Sequence, residues 1–231
     1  KHSATNIATS GLAEFEKRIA TDSGELLIDS IMSAWRLTQG KVETVVIKGT
    51  NAADKPSIDL LDVKEMVAKH SAESGIIDAV RLAENLDPNA IKNDFLIALA
   101  GGAEYSPTRL WLDWGGDVAI VARPRPDLWQ ELIARARSGA GTLYVPVLIE
   151  KLPTGKKASS LTTEELANVA GLDLIKNYEE ISSWIASLAR TDSRRIVLGS
   201  YAYAPGSKHI EVQAVQHCLA RAVTEALPKS R

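Results

Sequence analysis

The sequence predicts a mixed α+β or α/β protein, a helical N-terminal half packed against a C-terminal unit of alternating strands and helices. Three observations predict it. Up to about residue 102 the apolar residues recur mostly at helical spacing. Beyond that point short β-branched runs alternate with capped amphipathic stretches. The 231 residues are 45% apolar and 24% charged, with 15 Gly and 9 Pro, which is the composition of an ordinary globular chain. The expected division is 1–102, mainly helical with one strand, and 103–231, α/β, arranged as two lobes or as one mixed domain.

Leu12, Phe15 and Ile19, followed after Ser23-Gly24 by Leu27, Ile31, Ala34 and Leu37, predict a helical hairpin. Val42 to Lys48 is β-branched, lies between Gly40 and Gly49, and is the first strand; Asn51 to Ser57 reads as a loop. Asp62 with Glu65 three residues on forms a capping box for a helix through about His70, and Gly75 restarts one over Ile76, Ile77, Ala79, Val80 and Ala83. Asp87-Pro88 predicts another helix, because Asp caps free amides and Pro lacks an N–H where none is needed; it should end at Gly101-Gly102.

The expected strands of the second half are Leu110 to Asp113, Val118 to Ala122, Leu143 to Ile149 and Ile196 to Tyr203. Trp114-Gly115-Gly116-Asp117 would join the first two as a tight hairpin. Helices are expected from Asp127 to Ser138-Gly139, from Thr162, capped with Glu165, to Gly171, and on through Ile175, Tyr178, Ile181, Ile185 and Leu188. A last helix runs from His209 to Leu227 before Pro228. Trp129 and Trp184 sit at apolar helical positions and belong to the core, and Lys151 to Ser160 is an exposed loop.

Composition also excludes classes of function. With one cysteine, Cys218, there is no internal disulfide and no cysteine-based zinc or iron–sulfur site. No stretch reaches the roughly 18 uncharged apolar residues of a membrane helix, and the opening residues lack the apolar stretch of a signal peptide, so a cytoplasmic or otherwise intracellular setting, a virion included, is expected. A chain that starts without Met reads as trimmed or cut from something longer.

Charge is unevenly distributed. The first 120 residues carry 12 Lys+Arg against 18 Asp+Glu, the remainder 15 against 11, and nine of those 15 cations are Arg. Guanidinium forks grip phosphate or carboxylate bidentately, so an arginine-rich half points to an anionic partner. The leading expectation is a non-enzymatic assembly or binding subunit of structural or nucleoprotein-like character. It self-associates as a homo-oligomer through surfaces of opposite charge, and it presents Arg123, Arg125, Arg135, Arg137, Arg194, Arg195 and Lys208 to nucleic acid or another polyanion. Trp114, Tyr201 and Tyr203 would stack on bases; neither a cofactor nor a metal is expected.

The alternative is a small α/β enzyme acting on a phosphorylated or nucleotide-like ligand. Ser200 to Lys208 leaves a strand and opens a helix, where ligands of α/β folds bind; His209 would be the acid/base, and Lys208 or Arg195 would hold the anion. His209 could also form a polar stripe with Gln213 and Gln216, whereas His209 and His217, eight residues apart on one helix, rise about 12 Å apart and cannot share a metal. Asp113, Asp117 and Glu104 could supply oxygen ligands if they converged, but a hairpin accounts for the first two more simply. Arg137 to Thr142 resembles a phosphate loop in composition yet leads from helix to strand, so it reads as a helix cap and turn. Cys218 reads as a small core residue.

Overall fold

The computed structural model describes residues 41–53, 60–84, 87 and 90–227. The helical hairpin expected before Gly40, the Pro88 cap and Pro228 lie outside the described residues. In chain order the elements are β1 (Val42–Lys48), α1 (Leu60–Ala68), α2 (Gly75–Glu84), β2 (Asp94–Leu99), α3 (Thr108–Asp113), β3 (Asp117–Val121), α4 (Pro126–Ser138), β4 (Thr142–Leu148), α5 (Thr163–Val169), α6 (Tyr178–Thr191), β5 (Arg195–Ser200) and α7 (Lys208–Ala226). Among the described residues no helix is long and apolar enough to cross a membrane.

The five strands form one mixed sheet in the order β1-β4-β3-β2-β5. Strands β2 to β5 are mutually parallel, and β1 is antiparallel to β4, from Val42 opposite Leu148 to Lys48 opposite Thr142. The sheet takes β1 and β2 from the first of the two expected halves and the other three strands from the second, so the boundary at residue 102 falls on a loop within one sheet.

Two expectations are corrected around that boundary. The helix expected from Asp87 to Gly101 is instead a short 3-10 turn, Ala90–Asn93, followed by strand β2. Phe95-Leu96-Ile97-Ala98-Leu99 is a continuous apolar run in which no residue is more than 1% exposed. A parallel strand covered on both faces has such a run, and over five residues it has no period to separate it from a buried helix. Conversely, Leu110 to Asp113 is not a strand but part of helix α3. Thr108 and Leu112, one turn apart, are both fully buried, while Leu110 between them is half exposed. The Gly115-Gly116 pair therefore does not turn a hairpin. Gly115 (φ +84) donates to the Leu112 carbonyl and Gly116 to the Trp111 carbonyl, which is the Schellman closure of a helix.

Helices cover both faces. Leu96, Ala98, Val118, Ile120, Leu143, Val145 and Val147 pack against Leu112 of α3, Trp129, Leu132, Ile133 and Ala136 of α4 and Leu166 and Ala167 of α5. Phe95, Ile97, Leu99, Ala119 and Val121 pack against Ile181, Trp184, Ile185 and Ala189 of α6 and Leu219 and Val223 of α7. Trp129 and Trp184 are core residues, as their spacing implies. Trp184 also donates through Nε1 to the Thr44 hydroxyl at 2.8 Å, which ties α6 to β1. At the start of α5 the capping box is complete, since the Glu165 amide donates to the Thr162 hydroxyl and the Thr162 amide to the Glu165 carboxylate.

Because β2 is an interior strand covered on both faces, Ile97→Ala should lower the unfolding free energy by about 2–5 kcal/mol. Leu82→Ala, at a position 68% exposed, should change it by less than about 0.5 kcal/mol. Urea denaturation of the two variants checks this; equal small effects would contradict the assignment.

Candidate functional site

Strand order fixes where the chain changes direction. From β2 it steps through β3 to β4 on one side, then returns to place β5 on the other side of β2. The connection leaving β2 enters α3 on one face of the sheet, and the connection leaving β5 enters α7 on the opposite face. Diverging connections of this kind open a crevice at the carboxyl ends of the two strands.

Ala100 to Pro107 leaves β2. Ala100 takes a left-handed backbone (φ +59), and Gly101 donates to the Val121 carbonyl at 3.1 Å, so the chain folds back over the end of β3. A Cβ on Gly101 would lie 2.7 Å from Ile120 Cγ2, 2.9 Å from Ala98 Cβ and 3.0 Å from Thr108 Oγ1, so only glycine lets loop, sheet and α3 approach this closely. A Cβ on Gly102 would meet Leu128 Cδ2 at 2.6 Å, the movable end of a side chain. The amides of Gly102, Glu104 and Tyr105 donate to no acceptor among the described residues.

Tyr201 to Ser207 leaves β5. The Tyr201 amide donates to the Leu99 carbonyl at 2.9 Å, and Gln216, only 5% exposed, brackets Ala202 by accepting from its amide at 3.1 Å and donating to its carbonyl at 3.4 Å. Tyr105 links the two connections through a 2.5 Å hydrogen bond from its hydroxyl to the Tyr201 carbonyl, with the rings edge to face. Tyr203 is 71% exposed, its ring centroid 5.7 Å from that of exposed His209.

The residues singled out from sequence separate into two groups. Lys208, His209, Tyr201 and Tyr203 stand at the carboxyl end of β5, and Arg123 and Arg125 at the carboxyl end of β3. Arg135 and Arg137 close α4, Trp114 caps the end of α3, and Arg194 and Arg195 lead into β5; these belong to the amino ends of the parallel strands. The seven cations therefore do not share one end of the sheet, and Arg195 stands at the end of β5 away from Lys208 and His209. Tyr201 is half-buried with its ring over Gly199, and burial pushes its phenol up, so it is not free to stack. Gln216 holds the loop and does not line a groove with His209 and Gln213. His217 is exposed, Cys218 is half-buried, and Gly139 caps α4, in keeping with a cap and turn over Arg137 to Thr142.

Most of the arginines have local carboxylates. Arg195 is bidentate to Asp94, its partner in strand register, at 2.7 Å for both bonds. Arg194 joins Asp192 to Asp117 and lies over the Phe95 ring, 5.1 Å from its centroid. Arg135 is bidentate to Asp113, Arg125 pairs with Asp127, and Arg137 donates to the Thr163 hydroxyl. Asp113 and Asp117 are thus engaged by different arginines, and among the described residues no group of three His, Cys, Asp or Glu side chains is placed to hold a metal ion. Arg109 of α3 is bidentate to Glu131 of α4 at 2.7 Å, and this bond holds the Glu131 carboxyl below its usual range.

Apart from Glu104 as a possible oxygen ligand and Gly101-Gly102 as a helix stop, the loop Ala100 to Pro107 is not singled out by the sequence, because the run before it reads as a helix. The signal is present: a Gly-Gly pair directly after six apolar residues, Phe95 to Ala100. Comparison with protein-family models, with curated proteins and with solved structures finds no match for this chain.

Two outcomes follow. Gly101→Ala should cost about 1–3 kcal/mol in stability, measured by urea denaturation, because its neighbours are sheet and helix atoms with little room to yield. Glu131 ionises below its ordinary value of 4.5 in the folded chain, so its pairing stabilises fully above about pH 4.5 and is lost as pH falls through the lower folded value. Glu131→Gln should therefore be less stable than the parent at pH 7 by less than about 1 kcal/mol, with the gap closing in acid.

Proposed function

We propose that this chain binds a nucleotide or dinucleotide at the carboxyl ends of β2 and β5, as the ligand-binding unit of an α/β enzyme. The observation that carries the reading is the strand order. Counted from β2, the parallel strands lie in the order third, second, first, fourth, with a glycine loop after the first. The first three are the plan of a mononucleotide-binding half of the doubly wound fold, and the fourth stands where the other half begins; in that fold phosphates meet the first loop and the sugar meets the end of the second strand. The warrant is an analogy of topology, to which local chemistry adds support. The amides of Gly102, Glu104 and Tyr105 are available to phosphate oxygens. The close approach required at Gly101 matches the purpose glycine serves in such loops. Lys208 supplies a cation at the same edge, exposed Tyr203 a ring for stacking, and His209 a group that can carry a proton.

The loop departs from the familiar G-x-G-x-x-G spacing, and α3 is a single short helix. The phosphate contacts are therefore assigned to loop amides and not to a helix dipole. The reading of an arginine-rich face for nucleic acid, with self-assembly through opposite charge, has less support. It needs guanidinium groups gathered and free, whereas Arg135, Arg194 and Arg195 each hold a neighbouring carboxylate.

Calorimetric titration with ADP-ribose tests the proposal. Saturable one-to-one binding is expected, abolished by Gly102→Asp, which sets a carboxylate among the phosphate-facing amides. That variant should retain its melting transition, because Leu128 can move aside. No binding at millimolar ADP-ribose would remove the reading. Steeply salt-dependent binding of single-stranded RNA without nucleotide binding would favour the polyanion reading instead.

A further inference from the structure

We infer that the site selects an adenosine ribose carrying a 2′-phosphate over one with a free 2′-hydroxyl, and that Arg123, supported by Arg125, makes the selection. This inference rests on the nucleotide-binding reading and deepens it.

The end of the second parallel strand decides what meets the adenosine ribose. A carboxylate there accepts hydrogen bonds from the sugar hydroxyls, whereas a guanidinium accommodates a phosphate. Strand β3 ends at Val121, and the next residue whose side chain is exposed is Arg123. Its backbone is held firmly. Leu172 donates to the Ala122 carbonyl at 2.8 Å and Trp129 Nε1 to the Arg123 carbonyl at 3.1 Å. Gly171, in a left-handed conformation (φ +101), lies against the same two carbonyls so closely that a Cβ would stand 2.8 and 3.0 Å from them. The Arg123 side chain, in contrast, makes no ion pair or hydrogen bond among the described residues. A fixed backbone carrying an uncommitted guanidinium is suited to a fixed dianion.

Two residues on, Arg125 is bonded to Asp127, with both side chains more than 60% exposed. A pair so open to solvent is weakly held, so Arg125 can turn from Asp127 to a phosphate at little cost.

The test compares adenosine 2′,5′-bisphosphate with adenosine 5′-monophosphate, which share a base and a 5′-phosphate, by calorimetry on the full chain. The parent should prefer the bisphosphate by about ten- to a hundredfold, the usual effect of charged hydrogen bonds to phosphate. Arg123→Ala should remove most of that preference and leave 5′-monophosphate affinity within about twofold. Arg123→Lys should keep part of it, because charge remains while the bidentate fork is lost. Thermal unfolding confirms that the variants fold. Equal affinities in the parent, or a preference unchanged in Arg123→Ala, would overturn the inference and leave nucleotide binding standing. Failure of both compounds to bind would overturn the inference and the underlying reading together.

Discussion

Strand β2 is paired along both edges and covered on both faces, and the rest of the α/β unit is arranged around that constraint. Phe95 to Leu99 are excluded from water, β3 and β5 satisfy their backbone groups, and α3 and α4 on one face and α6 and α7 on the other bury their side chains. A segment so enclosed can carry nothing polar within it, so the polar groups it brings lie at its ends. Asp94 at the amino end is anchored by Arg195, and at the carboxyl end the backbone of Ala100 to Glu104 supplies the polarity. Structure and candidate function are thereby allotted to opposite ends of the same strand.

The electrostatics follow that division. At the amino ends of the strands Asp94, Asp117 and Asp192 meet Arg194 and Arg195, and the Phe95 ring lies beneath Arg194 with Tyr144 edge-on to it. These charges draw together β2, β3 and the entry to β5, which is remote from β2 in sequence but beside it in the sheet. At the carboxyl ends the cations are looser, with Arg123 making no ion pair or hydrogen bond among the described residues and Arg125 and Lys208 in exposed pairs. A charge balance taken over the sequence counts both groups alike, although the first is tied to largely buried carboxylates and the second is not.

Much of this architecture was legible in sequence, and the failures have a common cause. Val42–Lys48, the cap of α5, the end of α4 and the burial of Trp129 and Trp184 were readable because each has a local signature: β-branching, a Thr-x-x-Glu box, a Ser-Gly stop, an apolar helical position. Strand β2 was not readable, since burial on both faces removes the alternation by which a strand is known. Asp87-Pro88 then supplied a misleading helix start, and the apolar run Leu110-Trp111-Leu112 a misleading strand. The placement of Ser200 to His209 beyond a strand end was correct from sequence. The opposing glycine loop was missed with the strand that precedes it, and the distribution of the arginines is a property of topology that no local window contains.

The left-handed Ala100 at the head of that loop also has an energetic bearing. Glycine would adopt the same angle more easily but would leave the loop many alternative shapes. Alanine restricts those alternatives, so the entropy of fixing the segment is surrendered when the chain folds and need not be surrendered again when a ligand arrives. The loop is in this sense preorganised: a molecule that fits it meets a surface already set.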